Sequence, residues 1–273
     1  RTVNFDDPGA WHLYYADGAG TPGTVMTFFA WPGGKPGRQG AGQVTETQFA
    51  VPRGALPFWA ERIPAMGGSV LGERTVMGEQ RLTITDPDGL RLALVETDDP
   101  RTPWQAEGIG AAHAIRGFRG VTLTLQEAGG VIAILRDVFG YAQAGQDGPL
   151  TRLAMSAESG VVDIVADPQA RPGTDGAGAV HHVAFRVPDR AAQLAARAAM
   201  EAAGLRVTPP IDRDYFWAIY ARTPGGVLFE VATDEPGFTI DEPLETLGTE
   251  LRLPKQHAHL RETIERMLPP LEA

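Results

Sequence analysis

Glu230 and His182 are the two residues in this sequence whose chemistry packing alone does not explain. Glu230 lies in the apolar run 228–232, which is expected to form a buried strand. An unpaired carboxylate in such a strand costs several kcal/mol, so a cation is expected opposite it. His182 opens an earlier strand-like run, and a curled sheet would bring both side chains together.

Two explanations of this pair follow from the residues alone. A histidine and a carboxylate converging in a buried place suggest ligands of a metal ion. In the alternative, Glu230 forms an ion pair with Arg213 or Arg222, and His182 is a core histidine with satisfied hydrogen bonds. The spacing does not choose between them.

A βαβββ unit is predicted to position these residues. Residues 179–187 alternate in polarity, so that His182 and His181 would face opposite sides of a strand. Asp189 is expected to cap a helix that ends at Gly204. Strands are predicted at 205–207, 215–220 and 227–232. The apolar face of the helix is predicted to consist of Ala191, Leu194, Ala195, Ala198 and Ala202.

Composition narrows the function classes. The chain has 273 residues, 34 acidic against 24 basic side chains and a formal net charge of −10. This charge argues against nucleic acid or an anionic membrane surface as a partner. No apolar run is long enough to span a membrane, and there is no cysteine, so we expect a soluble, cytoplasmic protein whose metal ligands would be His and oxygen.

The unit recurs earlier in the chain. Residues 43–52 align with 179–188 without a gap, which places Glu46 at the His182 position and Ala93 at the Glu230 position. With no partner ligand on its own last strand, Glu46 is predicted to be solvated or ion-paired.

A third copy begins at 117–126, with Arg119 and Gly120 at the two histidine positions. The alignment places Ile164 at the Glu230 position and Asp163 one residue away. No metal site is predicted in this copy.

The opening stretch resembles the last three strands of the unit, with Phe28 at the Glu230 position. We therefore expect about 25 residues carrying a strand and helix to precede Arg1. Of the remaining histidines, His12 and His113 are predicted to form structural hydrogen bonds, and His257 and His259 are predicted to lie at the surface. The predicted segments are a partial module at 1–36, complete modules at 40–100, 117–168 and 178–238, and a helical tail at 239–273 that packs across the barrels.

These modules predict an α+β fold of two open, half-barrel sheets with helices outside. They resemble the vicinal oxygen chelate superfamily, which includes glyoxalases and extradiol dioxygenases. Nearly the whole chain is similar to the hydroquinone-type ring-cleaving dioxygenases. The strings that carry this resemblance are TVNFDDPGAWHLYYAD, PGTVMTFF, GAGAVHHVAFRVPD, IDRDYFWAIY and PGGVLFEVATDEPGFTIDEPLETLG.

The resemblance implies a mononuclear Fe(II), with Mn(II) as an alternative, bound by two histidines and one carboxylate. His182 and Glu230 match two of these ligands, and the family's other histidine comes from the first strand of the first module. His181, Arg213 and Tyr220 match residues around the iron in the family. The resemblance implies that His181 supports the ligand or handles a proton, and that Arg213 balances negative charge on the substrate. It implies that Tyr220 donates a hydrogen bond or a proton.

The expected function is therefore Fe(II)-dependent, extradiol-type cleavage of a hydroquinone or related dihydroxylated ring by O₂. Two alternatives remain open: a glyoxalase-like, metal-dependent lyase or isomerase, and a metal-free binding protein of the same fold. The expected partners are a small aromatic substrate and O₂, and a homo-oligomer is compatible with the sequence.

Overall fold

The computed structural model describes residues 1–155 and 160–271. Residues 156–159 of the predicted third module and 272–273 of the predicted tail lie outside the described residues. The helices are α1 (Leu56–Ala65), α2 (Gly129–Asp137), α3 (Arg190–Ala202) and α4 (Arg261–Met267). The strands are β1 (Thr2–Val3), β2 (Trp11–Tyr15), β3 (Met26–Ala30), β4 (Gln43–Val51), β5 (Ser69–Val76), β6 (Glu79–Thr85), β7 (Arg91–Glu96), β8 (Gly117–Leu125), β9 (Ala142–Asp147), β10 (Leu150–Ala154), β11 (Val161–Ala166), β12 (Val183–Val187), β13 (Ile211–Asp212), β14 (Phe216–Arg222) and β15 (Leu228–Pro236).

The strands form three sheets in the part of the chain that the structure describes. Their orders are β1-β2-β3, β5-β6-β7-β4-β8-β11-β10-β9 and β12-β15-β14-β13. In the groups β4–β7, β8–β11 and β12–β15 the first strand is parallel to the last, and a helix follows the first strand. A parallel pair needs such a crossover connection. The predicted α+β class is confirmed, and the module boundaries stay a prediction.

Helix α3 has the predicted ends but buries a different face. Asp189 accepts a hydrogen bond from Ala192 N at 2.8 Å, and Gly204 after the helix has a φ of 87°. The buried side chains are Gln193 and Met200, whereas Leu194 of the predicted apolar face is 48% exposed. Gln193 Nε2 donates to the carbonyl oxygens of two sheet residues, so this face is buried through hydrogen bonds to strands as well as apolar contacts.

The predicted strand at 205–207 is wrong. Val207 forms an isolated bridge with Ala221, and the strand that pairs with β14 on the side away from β15 is the short β13. Two prolines, Pro209 and Pro210, separate these positions. Because proline has no N–H to donate, it interrupts a regular ladder there.

The strand register corrects the alignment of the third module. Ala184 of β12 is opposite Glu230 of β15, and Thr122 of β8 is opposite Asp163 of β11. Gly120 of the third module is aligned with His182. Thr122 lies two residues after Gly120, and Ala184 lies two residues after His182, so Thr122 and Ala184 are equivalent positions. Asp163, rather than the predicted Ile164, therefore corresponds to Glu230.

Asp163 belongs to a buried ionic cluster in the eight-stranded sheet. It is 0% exposed and accepts hydrogen bonds from Arg152 Nε at 2.7 Å and Arg81 Nη2 at 3.0 Å. Glu46 is also buried and pairs with Arg74 at 2.6 Å, so its ion-paired interpretation is confirmed. Guanidinium groups thus surround Asp163, the residue of this sheet that is equivalent to Glu230. The cluster consists of Glu46, Glu79, Arg81, Arg119, Arg152 and Asp163.

The C-terminal segment covers the first sheet. Ile264 of α4 and Leu268 pack with Val3 and Trp11 in one apolar cluster. The tail was predicted to lie across the barrels; this cluster places its apolar side chains on β1 and β2. His257, predicted to be a surface residue, has its Nε2 2.8 Å from the carbonyl oxygen of Phe5. Among the described residues, no helix is both long and apolar enough to cross a membrane.

Candidate active site

Glu230 is the buried centre of the candidate site. It lies in the middle of its sheet, paired with Ala184 on one side and Tyr220 on the other, and it is 3% exposed. The Tyr220 hydroxyl donates to Glu230 Oε1 at 3.0 Å, and His182 Nε2 lies 2.7 Å from Glu230 Oε2. The side chain that lies opposite this carboxylate is therefore the His182 imidazole.

The arginines of the alternative explanation have other contacts. Arg222 Nη1 donates to the carbonyl oxygen of Gly226 at 2.7 Å. Arg213 Nη1 lies 3.8 Å from Asp6 Oδ2. Glu230 is instead held by His182 and Tyr220, which leaves its carboxylate beside a group able to bind a metal ion.

The two histidines precede β12 instead of lying in it, which corrects the predicted strand at 179–187. In a regular strand their side chains would point to opposite faces. Here His181 Nδ1 and His182 Nδ1 are 2.8 Å apart. This contact directs His182 Nε2 toward Glu230. Burial, followed by the charge of His182, lowers the pKa of His181, which favours its neutral form.

Tyr220 and Arg213 cover one side of this pair. The guanidinium carbon of Arg213 lies 5.7 Å from the centre of the Tyr220 ring and 5.1 Å from that of Phe5. Burial raises the pKa of the Tyr220 hydroxyl well above its ordinary value, and the charge of Glu230 raises it further. Tyr220 therefore remains a hydrogen-bond donor at neutral pH, and Arg213 supplies a positive charge nearby.

Two residues of the first sheet also face the site, and the sequence analysis did not assign them to it. Burial, followed by the charges of His182 and Arg213, lowers the pKa of His12, and burial, followed by the charge of Glu230, raises the pKa of Tyr14. The signal was present in the sequence: strand alternation places residues 12 and 14 on one face. His113, by contrast, stacks on Phe58 with the ring centres 4.2 Å apart, as expected for a structural histidine.

The His182 and Glu230 donors fit a metal ion. Bonds of about 2.1 Å to nitrogen and oxygen place neighbouring ligands at right angles about 3 Å apart, close to the observed 2.7 Å. Imidazole and carboxylate are suitable donors for Fe(II) and Mn(II). Within residues 1–155 and 160–271 no group of three or more potential ligands is found. The described residues thus supply a pair of ligands.

Comparison with known proteins identifies the family. Residues 121–231 match the Glyoxalase/Bleomycin resistance protein/Dioxygenase superfamily. The chain is 41% identical over 273 residues to MhqE of Bacillus subtilis (strain 168), a protein named as a ring-cleaving dioxygenase, covering 99% of this chain and 89% of MhqE. The chain belongs to the ring-cleaving dioxygenases of this superfamily. It is also 35% identical to the chlorohydroquinone/hydroquinone 1,2-dioxygenase of Sphingobium indicum, over 94% of this chain and 83% of that enzyme.

Solved structures agree with this family. A Bacillus subtilis crystal structure described as a dioxygenase superposes with a TM-score of 0.94 at 40% identity, covering 99% of this chain and 87% of that one. Glyoxalase I from Zea mays superposes with a TM-score of 0.63 at 16% identity, over 85% of this chain and 82% of that one. The second likeness concerns the fold alone.

Proposed function

We propose that this chain is an Fe(II)-dependent, extradiol-type dioxygenase that cleaves a hydroquinone or a related dihydroxylated aromatic ring with O₂. The observation that carries the proposal is the 2.7 Å approach of His182 Nε2 to Glu230 Oε2 beside the Tyr220 hydroxyl. The hydroquinone-type substrate is supported by the name of the Sphingobium relative.

His182 and Glu230 would hold the metal ion, with Mn(II) as the alternative to Fe(II). When bound, such an ion would supply Lewis-acid and electron-transfer chemistry between a phenolic substrate and O₂. His181 would support this site by holding the His182 ring through the Nδ1 to Nδ1 contact of 2.8 Å.

Tyr220 and Arg213 would act on the substrate. Since the Tyr220 hydroxyl remains protonated, it can donate a hydrogen bond or a proton to an oxygen placed next to Glu230. The positive charge of Arg213 would favour the ionised form of a phenolic hydroxyl. The burial of Glu230 and the half-buried position of Tyr220 would strengthen both effects.

An oxygen electrode tests this proposal directly. The protein is purified anaerobically, supplied with Fe(II), Mn(II) or no metal, and mixed with hydroquinone in aerated buffer. We expect oxygen consumption that requires both the metal ion and the substrate. The His113→Phe variant is a matched control because its imidazole lies against Phe58 and contacts no proposed ligand. Metal-dependent turnover without oxygen consumption would indicate a glyoxalase-like lyase or isomerase, and absence of metal binding would indicate a binding protein.

A further inference from the structure

The first sheet contributes a wall of aromatic side chains to the candidate site. The ring of His12 lies between those of Tyr14 and Phe29, at centre-to-centre distances of 4.3 and 4.5 Å. Phe29 is edge-on to His181 at 6.2 Å, and Tyr14 is edge-on to Tyr215 at 6.1 Å. These contacts join β2 and β3 to the segment before β12, which carries His182, and to the residue before β14, which carries Tyr220.

The hydrogen bond between His12 and Tyr14 fixes which imidazole nitrogen is protonated. His12 Nδ1 and the Tyr14 hydroxyl oxygen are 3.2 Å apart. Burial, reinforced by the charges of His182 and Arg213, lowers the pKa of His12 to about 3, so its ring is neutral at neutral pH. Burial also raises the pKa of Tyr14, which keeps its proton. When Tyr14 donates that proton to Nδ1, the imidazole proton lies on Nε2.

His12 Nε2 is then a donor available to a ligand. Among the residues that the structure describes, the only hydrogen bond of the His12 side chain is the one to Tyr14. His12 is half-buried, and within residues 1–155 and 160–271 its Nε2 is not among the fully buried polar atoms that lack a partner, so this nitrogen is open to a ligand or to solvent. A half-buried N–H group with this access favours an acceptor oxygen.

We propose that His12, positioned by Tyr14, binds the second hydroxyl of a para-dihydroxylated ring whose first oxygen lies at His182 and Glu230. This inference rests on the proposed function and adds a residue that selects the substitution pattern. The two oxygens of such a ring point in opposite directions, so the second needs a partner on another wall of the site. The first sheet supplies that wall, and Phe29 and Tyr215 supply apolar contacts beside it.

Arg213 is another nearby donor, and its surroundings favour a different task. Its guanidinium group lies against the Phe5 and Tyr220 rings and near Asp6, on the Tyr220 side of Glu230. A donor there meets the oxygen next to the proposed metal ligands. His12 is attached to a separate sheet and is held by Tyr14 instead.

Anaerobic titration of two ligands tests the inference. Hydroquinone and 4-methylphenol share one ring oxygen, and a methyl group replaces the other hydroxyl in 4-methylphenol. Both are titrated calorimetrically into Fe(II)-supplemented wild-type protein and into His12→Phe, His12→Gln and His113→Phe. One lost hydrogen bond corresponds to a roughly five- to tenfold weaker affinity. We expect His12→Phe to show that loss for hydroquinone and none for 4-methylphenol.

The Gln variant and the control separate binding from folding. His12→Gln retains an N–H donor near the Nε2 position, so it should recover most of the affinity for hydroquinone. His113→Phe should change neither affinity. Equal changes for both ligands in His12→Phe, or absence of hydroquinone binding to the wild type, would overturn the inference.

Oxygen uptake by the wild type is recorded separately. The predicted affinity difference without oxygen uptake would refute the proposed function and leave the hydroxyl-binding role of His12 intact. Oxygen uptake with no affinity difference would support the proposed function and refute the hydroxyl-binding role of His12.

Discussion

Asp163 and Glu230 occupy equivalent strand positions, and we predict that neutralising Asp163 destabilises the fold much more than neutralising Glu230. Asp163 accepts hydrogen bonds from Arg152 Nε and Nη2 at 2.7 and 2.9 Å, from Arg81 Nη2 at 3.0 Å and from Gln48 Nε2 at 3.1 Å. Asp163→Asn leaves two buried arginines with less compensating charge.

The contacts set the size of this effect. Removal of one partner from a buried ion pair costs about 3 to 5 kcal/mol. Arg81 and Arg152 both retain Glu79, at 2.8 and 2.9 Å, so we expect the low end, about 3 kcal/mol. Glu230 has one imidazole and one hydroxyl as partners, and Glu230→Gln removes a buried charge that only one side chain could balance. For this variant we expect a change within about 1 kcal/mol, or a gain in stability.

Urea unfolding in the presence of EDTA measures both variants without bound metal. The free energy of unfolding is taken from the change in midpoint at constant slope. Losses of equal size in the two variants would refute the distinction between a structural Asp163 and a functional Glu230. So would a loss of about 3 kcal/mol in Glu230→Gln alone.

Three further predictions concern pH, metal binding and turnover. Burial raises the pKa of Asp163, but the hydrogen bond from Arg152 and the charge of Arg81 outweigh this and lower it below its ordinary value. Its stabilising contribution should be full above the unfolded pKa of about 3.9 and lost as the pH falls through the folded pKa, so acid unfolding of Asp163→Asn should lack that component. His182→Ala and Glu230→Gln should each prevent iron retention after gel filtration, measured by metal analysis; full occupancy in either would exclude that ligand. Arg213→Ala and Tyr220→Phe should retain iron and lose roughly ten- to a thousandfold in kcat, and wild-type rates would leave them structural roles only.

Local patterns predicted much of the fold and the central pair of the site. Asp189 and Gly204 mark the ends of α3 because capping depends on a few adjacent residues. Glu230 was identifiable because a carboxylate in an apolar strand has few stable solutions. These features depend on chemistry that can be read within one turn or one strand.

Tertiary contacts decided what the sequence could not. The face of α3 depends on sheet carbonyls that accept from Gln193, so apolar spacing alone selected the wrong side. The linear alignment put Ile164 at the Glu230 position, one residue away from Asp163, because only strand pairing fixes the register. The contribution of His12 depends on how the first sheet meets the last one, a relation between segments distant in the chain.

Incorporation of labelled oxygen tests the central claim most directly. Iron-loaded wild type and Glu230→Gln are given hydroquinone under ¹⁸O₂, and the products are analysed by mass spectrometry alongside oxygen consumption. We predict that the wild type forms a ring-opened product from one hydroquinone and one O₂, with both oxygen atoms of that O₂ incorporated before exchange with water, and that Glu230→Gln forms none. An unlabelled product, or an equal yield from Glu230→Gln, would contradict a ring-cleaving dioxygenase that depends on this carboxylate.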